Sequence, residues 1–223
     1  PTFEELCPQS VARYLIDAGR ELDVKSLSST VGDMQVVCKL IIQTFTGMRD
    51  EEAASLPYHC LETTVANRRT HYVVQGRTTK FNHGIPKRVK WVTNREGHQA
   101  IEAACAIANA IYKTYDVVPE RTDERRSNYP LFPSSAYMNL ASKPTAPLDG
   151  RFLSGTIEFR GGSRVPAHLF VPIEAKDLDE LEQIDLHRAW RTESAFQIGV
   201  PWAFKTHQLR RSLALYAQRS GLV

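Results

Sequence analysis

Cysteine is scarce and unpaired in this sequence. Cys7, Cys38, Cys60 and Cys105 stand far apart, with no Cys-x-x-Cys and no histidine at zinc-finger spacing, which excludes a finger-type zinc site. The four read as free thiols of a reducing cytosol. Long apolar runs are missing too: the best candidates are broken by Lys39 or by Gln43 and Thr44, so no membrane partner is expected. The histidines have no metal-ligand spacing with nearby acids, and there is no glycine-rich nucleotide loop, so neither a metal nor another cofactor is expected. No signal-peptide pattern opens the chain, and the expected location is the cytoplasm.

Acid is also absent where base is dense. Residues 63–95 hold eight Lys or Arg and no Asp or Glu, and residues 194–223 hold four and none. Between them lies an acidic stretch with Glu174, Asp177, Asp179, Glu180, Glu182 and Asp185. The net charge of +3 argues little by itself, but this segregation sets a positive face against phosphates. Taken alone, such charge runs are more often solvated surface.

What is present fits one large globular domain: 223 residues, 42% hydrophobic and 24% charged. Val11, Leu15 and Ala18 mark a first helix. Met34, Val37, Cys38 and Ile41 mark a second over residues 32–45, closed by Gly47. Arg49 then falls at a helix-to-helix junction, before a short helix at residues 50–56 whose acids sit at its positive end. Period-two, β-branched stretches at residues 61–65, 72–75 and 88–92 predict a small antiparallel sheet with a long turn over residues 76–87. Ile101, Ala104, Ala108, Ile111 and Tyr115 predict a further helix. Residues 119–172 contain seven of the twelve prolines and read as an elaboration, with a hairpin around Gly161-Gly162. Helices follow at residues 175–186 and from Thr206, an expected N-cap, to Gly221.

Two segments carry chemistry. The first is Thr46-Gly47-Met48-Arg49 with Glu52 and Leu56 behind it; the second is His207-Gln208-Leu209-Arg210, opening the last helix. Together they resemble the first arginine box and the His-x-x-Arg box of the tyrosine recombinase, or phage integrase, family. The resemblance covers about residues 27–115 and 186–223. It implies a mainly α fold with a small antiparallel sheet (α+β), like that family's DNA breaking-rejoining domain, after an N-terminal segment at residues 1–26.

The resemblance assigns Arg49 and Arg210 to the non-bridging oxygens of a pentacoordinate phosphate, where planar guanidinium forks bind growing negative charge. His207 would bind the phosphate or assist proton transfer, and Glu52 would orient a guanidinium. A lysine on the turn between the second and third strands protonates the leaving 5′ hydroxyl in that family; Lys80 is the choice, with Lys87 a rival on the same turn. Arg77, Lys87, Arg88 and Arg211 are expected to contact DNA. The family's remaining catalytic positions, a His or Trp and then the nucleophilic Tyr, fall beyond the second box and beyond Val223. With Pro1 in place of a starting Met, this implies a piece of a longer protein, inactive by itself. Tyr216 shares a helix with Arg210 and reads as packing.

The implied activity is site-specific DNA recombination or integration through a 3′-phosphotyrosyl intermediate. Expected partners are duplex DNA and a tetramer of this chain on it, at the bacterial nucleoid. A type IB topoisomerase-like enzyme and a DNA-binding regulator that has lost catalysis are the alternatives. Singly, each residue has a plainer role: Arg49 as a helix-end arginine neutralised by Glu52, His207 as a cap or packing residue, Lys80 as a polar turn residue.

Overall fold

Asp23 starts the longest element. Its carboxylate accepts from the Ser26 N–H at 2.6 Å, and helix α3 (Val24–Thr46) follows. The computed structural model describes residues 2–80, 85–120, 129–138, 145–155, 171–202 and 204–221. Over these the order is α1 (Phe3–Leu6), α2 (Gln9–Asp17), α3, α4 (Asp50–Ala54), β1 (Leu61–Ala66), β2 (Arg69–Thr78), β3 (Lys87–Thr93), α5 (Arg95–Lys113), α6 (Ala175–Ile184) and α7 (Thr206–Arg219). The class is α+β, with one antiparallel sheet in the order β1-β2-β3.

The expected start of α3 at Gly32 is overturned, because the first turns carry Lys25, Ser26, Ser28 and Ser29 and show no apolar stripe to read. Met34, expected to face inward, is 46% exposed. Polar residues take the inward positions with dedicated partners: Gln35 donates to the Pro133 carbonyl at 2.9 Å, and Lys39 pairs with Asp50. Gly47, at φ +68, ends the helix in the left-handed conformation that glycine adopts without strain.

Asn67 and Arg68, both at positive φ, close the β1–β2 hairpin as the twist of paired strands favours. β2 is longer than expected: Gly76 and Arg77 pair with Val89 and Arg88, so the connection to β3 shortens to residues 79–86. Part of it, residues 81–84, lies outside the described residues, as do positions 156–170 of the expected hairpin.

The core forms where α3 packs on α5 and where both meet the sheet. Val36, Ile42, Met48, Leu56, Val74 and Ile101 belong to one buried cluster that Leu131 and Phe132 complete. A second surrounds Tyr112, with Ala108, Ile111, Tyr137 and Phe152. Leu131, Phe132 and Tyr137 of residues 129–138, and Phe152 of the largely exposed residues 145–155, therefore contribute to the core. α7 docks on α3 but buries none of its own residues. Thr206, the expected cap, is already its first helical residue and Lys205 takes the cap position; Tyr216 is 66% exposed, so the expected packing role is overturned. Among the described residues, no helix is long and apolar enough to cross a membrane.

Candidate phosphate site at the junction of α3 and α4

The junction between α3 and α4 is held from both sides. Glu52, 6% exposed, accepts from the Arg49 backbone N–H and from its Nη1, each at 2.8 Å. One carboxylate thus caps α4 and fixes the arginine head. Burial by itself pushes the Glu52 carboxyl up, but bonds from the Arg49 N–H, Thr78 and the Arg49 guanidinium outweigh it and leave the group below the ordinary glutamate value. On the inner side, the Lys39 ammonium, 1% exposed, lies 2.7 Å from Asp50 Oδ1, and Gln43 Nε2 donates to the same oxygen at 3.4 Å. Such a pair ties α4 to α3, because a lone ammonium at that depth is costly.

A cleft of about 780 Å³ opens beside this junction. Arg49 and Glu52 line it from the junction, Arg77 and Thr78 from the end of β2, Lys80 from the chain after β2, and Arg88 from β3. Gly76 also lines it, and a Cβ there would come within 3.0 Å of Leu56 and of Trp91; only a bare backbone passes at this depth. The remaining wall includes Tyr58, His59, Tyr129, Phe152 and Ser154. The His59 Nε2 donates to the Pro119 carbonyl at 2.8 Å.

The second box reaches the same junction from its far end in sequence. Arg210 Nη1 donates to the Gly47 carbonyl at 3.2 Å, across 163 residues. Leu213, one turn on, sits close enough that a Cβ on Gly47 would fall 3.2 Å from its Cδ2. The fold therefore brings the His-x-x-Arg helix against the arginine box. His207 and Arg211 are exposed positions of α7, and neither they nor Arg210 line the cleft. The two candidate lysines separate here: Lys80 lines the cleft with Arg49, whereas Lys87 starts β3 opposite Thr78 and does not.

Two features escaped the sequence. Lys39 reads as an interruption of an apolar run, and its partner Asp50 reads as a first-turn acid; only their adjacency gives the pair. Part of the aromatic wall, Tyr129 and Phe152, comes from the proline-rich segment, where no periodicity signals it. Burial raises the Cys38, Cys60 and Cys105 thiols, that of Cys105 to about 11 with Glu102 adding to the shift, which disfavours these three as nucleophiles. Comparisons with family models, with curated proteins and with solved structures each give no match to the chain.

Proposed function

We propose that this chain is the phosphate-binding part of a DNA strand-breaking and rejoining enzyme of the tyrosine recombinase kind. Arg49 and Arg210 would hold the non-bridging oxygens of the reacting phosphate, Lys80 would protonate the leaving 5′ hydroxyl, and His207 would assist at the phosphate. Glu52 would act on Arg49 alone, orienting it. Arg77 and Arg88 would bind flanking phosphates, with Lys87 and Arg211 outside the cleft on the DNA path. The family's fold, the tetramer on DNA and the tyrosine nucleophile supplied from beyond these residues belong to the same proposal.

One observation supports this reading above the others: the Arg210 bond to the Gly47 carbonyl, which joins two boxes 163 residues apart. Chance resemblance of two short segments carries no requirement that they meet. Arg77 on β2 and Arg88 on β3, which line the cleft with Arg49, add to it, since guanidinium groups suit the recognition of phosphate oxygens.

In the proposed chemistry, charge grows on the phosphate as the strand is cut, so a donor fixed in advance lowers the barrier more than it raises affinity. The test is Arg210→Ala in a version that carries the tyrosine, with DNA binding and cleavage measured side by side. Cleavage is expected to slow by a factor corresponding to about 2.7 to 4 kcal/mol, with a far smaller change in affinity. Equal losses would make Arg210 a docking residue. Absence of salt-sensitive duplex binding by the chain would remove the DNA reading altogether.

A further inference from the structure

The cleft is larger than a phosphodiester requires. Its volume of about 780 Å³ is of the size that encloses a whole small molecule, and its lining has two chemistries. One is cationic, from Arg49, Arg77, Lys80 and Arg88. The other is aromatic: Tyr58, Tyr129 and Phe152. Their rings are held in place by the Tyr112 cluster, with Tyr58, Tyr129 and Phe152 each in edge contact with Tyr112 at centroid distances of 5.7, 5.6 and 4.8 Å. The backbone fixes the same wall, since the Tyr58 N–H donates to the Tyr129 carbonyl at 2.9 Å. Glu51, Glu52 and Glu120 share the lining, which disfavours a run of phosphates along it.

A paired duplex offers such a site only half of what it accepts. Its phosphates reach the arginines, but its bases are stacked inside and leave the rings uncovered. A nucleotide turned out of the stack offers both halves, an anionic phosphate and a flat π face. We propose that the cleft holds one unstacked nucleotide, its phosphate among the four cations and its base against Tyr58 and Tyr129. The inference rests on the DNA reading above and extends it: the proline-rich segment takes part in substrate recognition and favours DNA in which one base is free to leave the helix. The cost of turning a base out is smallest where it is already unpaired, so such sites bind tightest.

The test compares three duplexes of one sequence by fluorescence anisotropy at fixed salt: fully paired, carrying one bulged nucleotide, and carrying an abasic bulge at the same place. The abasic duplex keeps the flexibility and the phosphate but has no base to stack. The bulged base is expected to bind about tenfold tighter than the abasic bulge, the range of a single base-aromatic stack. Tyr129→Leu is expected to bring that ratio close to one. Equal affinity for the two bulges in the unaltered chain overturns the inference and leaves the DNA reading standing. Failure to bind any of the three overturns the DNA reading itself. A ratio that survives both Tyr129→Leu and Tyr58→Leu places the base elsewhere and also overturns the inference. Should the tyrosine variants lose their folded circular dichroism, the comparison of the two bulges in the unaltered chain decides alone.

Discussion

The two boxes that meet at the α3–α4 junction are built by opposite means. Arg49 is itself partly exposed, but its supports are enclosed: Glu52 is 6% exposed, Lys39 1%, and Met48, Ala53 and Leu56 lie in the core. Around Arg210 the packing is shallower: α7 lies on α3 without burying any of its own residues, and the contacts include the guanidinium-carbonyl bond and Leu213 beside Gly47. A charged group inside a packed region keeps its position whether or not a ligand is present, because moving it strands a partner without solvent. A helix laid on a surface keeps its position only to the extent that its few contacts outweigh its freedom. The first box is therefore preorganised by the fold, and the second is added to it.

Asp50→Ala should show the contrast most strongly. It leaves the Lys39 ammonium without its 2.7 Å partner, and the expected loss is about 3 kcal/mol, the low end for a broken buried pair since Asp50 is itself partly exposed. Denaturant unfolding measures it. Adding Lys39→Met in the same chain should recover part of the loss, because an apolar side chain of similar length needs no partner. A change within the usual scatter of surface substitutions would mean that the first box is no better anchored than the second.

Glu52→Gln is expected to cost about 2 kcal/mol, as a buried carboxylate bonded to a guanidinium is replaced by a neutral amide. Its pH dependence has a fixed sign. The folded pKa of Glu52 lies below its ordinary 4.5, so its stabilisation is fully present above that value and is lost as pH falls through the lower folded value. The unaltered chain should lose stability in acid more steeply than Glu52→Gln, and the gap between them should narrow below about pH 4.5. Parallel curves would remove the carboxylate from the account.

Gly47→Ala probes the seam between the two regions. It sets a side chain at φ +68 and 3.2 Å from Leu213, for an expected cost of about 1 to 2 kcal/mol. The loss should include protection of α7 amides in hydrogen exchange; unchanged α7 protection would show that the helix is held by something other than this contact. Smallest of all, Tyr216→Ala at a 66% exposed site should stay within about 0.5 kcal/mol. A larger loss would place a packed partner on that face and weaken the contrast.

Much of the framework was legible because it is local. Gly47 after an apolar helix and acids at the start of α4 placed Arg49 at a junction, and β-branched alternation placed the three strands, with β2 extended most by pairing and β1 and β3 by single residues. The candidate site was legible only in part. Arg49, Glu52, Arg77, Lys80 and Arg88 line one cleft, whereas Lys87, His207, Arg210 and Arg211 do not. The start of α3 was misplaced because a serine-rich polar turn hides a helix whose signal is its Asp23 cap.

By itself, the sequence determined the class of the fold, the helix stop at Gly47, the positions of the three strands and the two boxes as separate local patterns. Tertiary structure alone decided that Arg210 reaches the Gly47 carbonyl, that Gln35 and Lys39 face inward while Met34 and Tyr216 face solvent, and that Tyr129 and Phe152 of the proline-rich segment join Tyr58 in an aromatic wall. The reason is physical. Periodicity and capping depend on neighbours within a turn or two, whereas a buried polar group is stable only if its partner arrives, and these partners come from as far as 98 and 163 residues away.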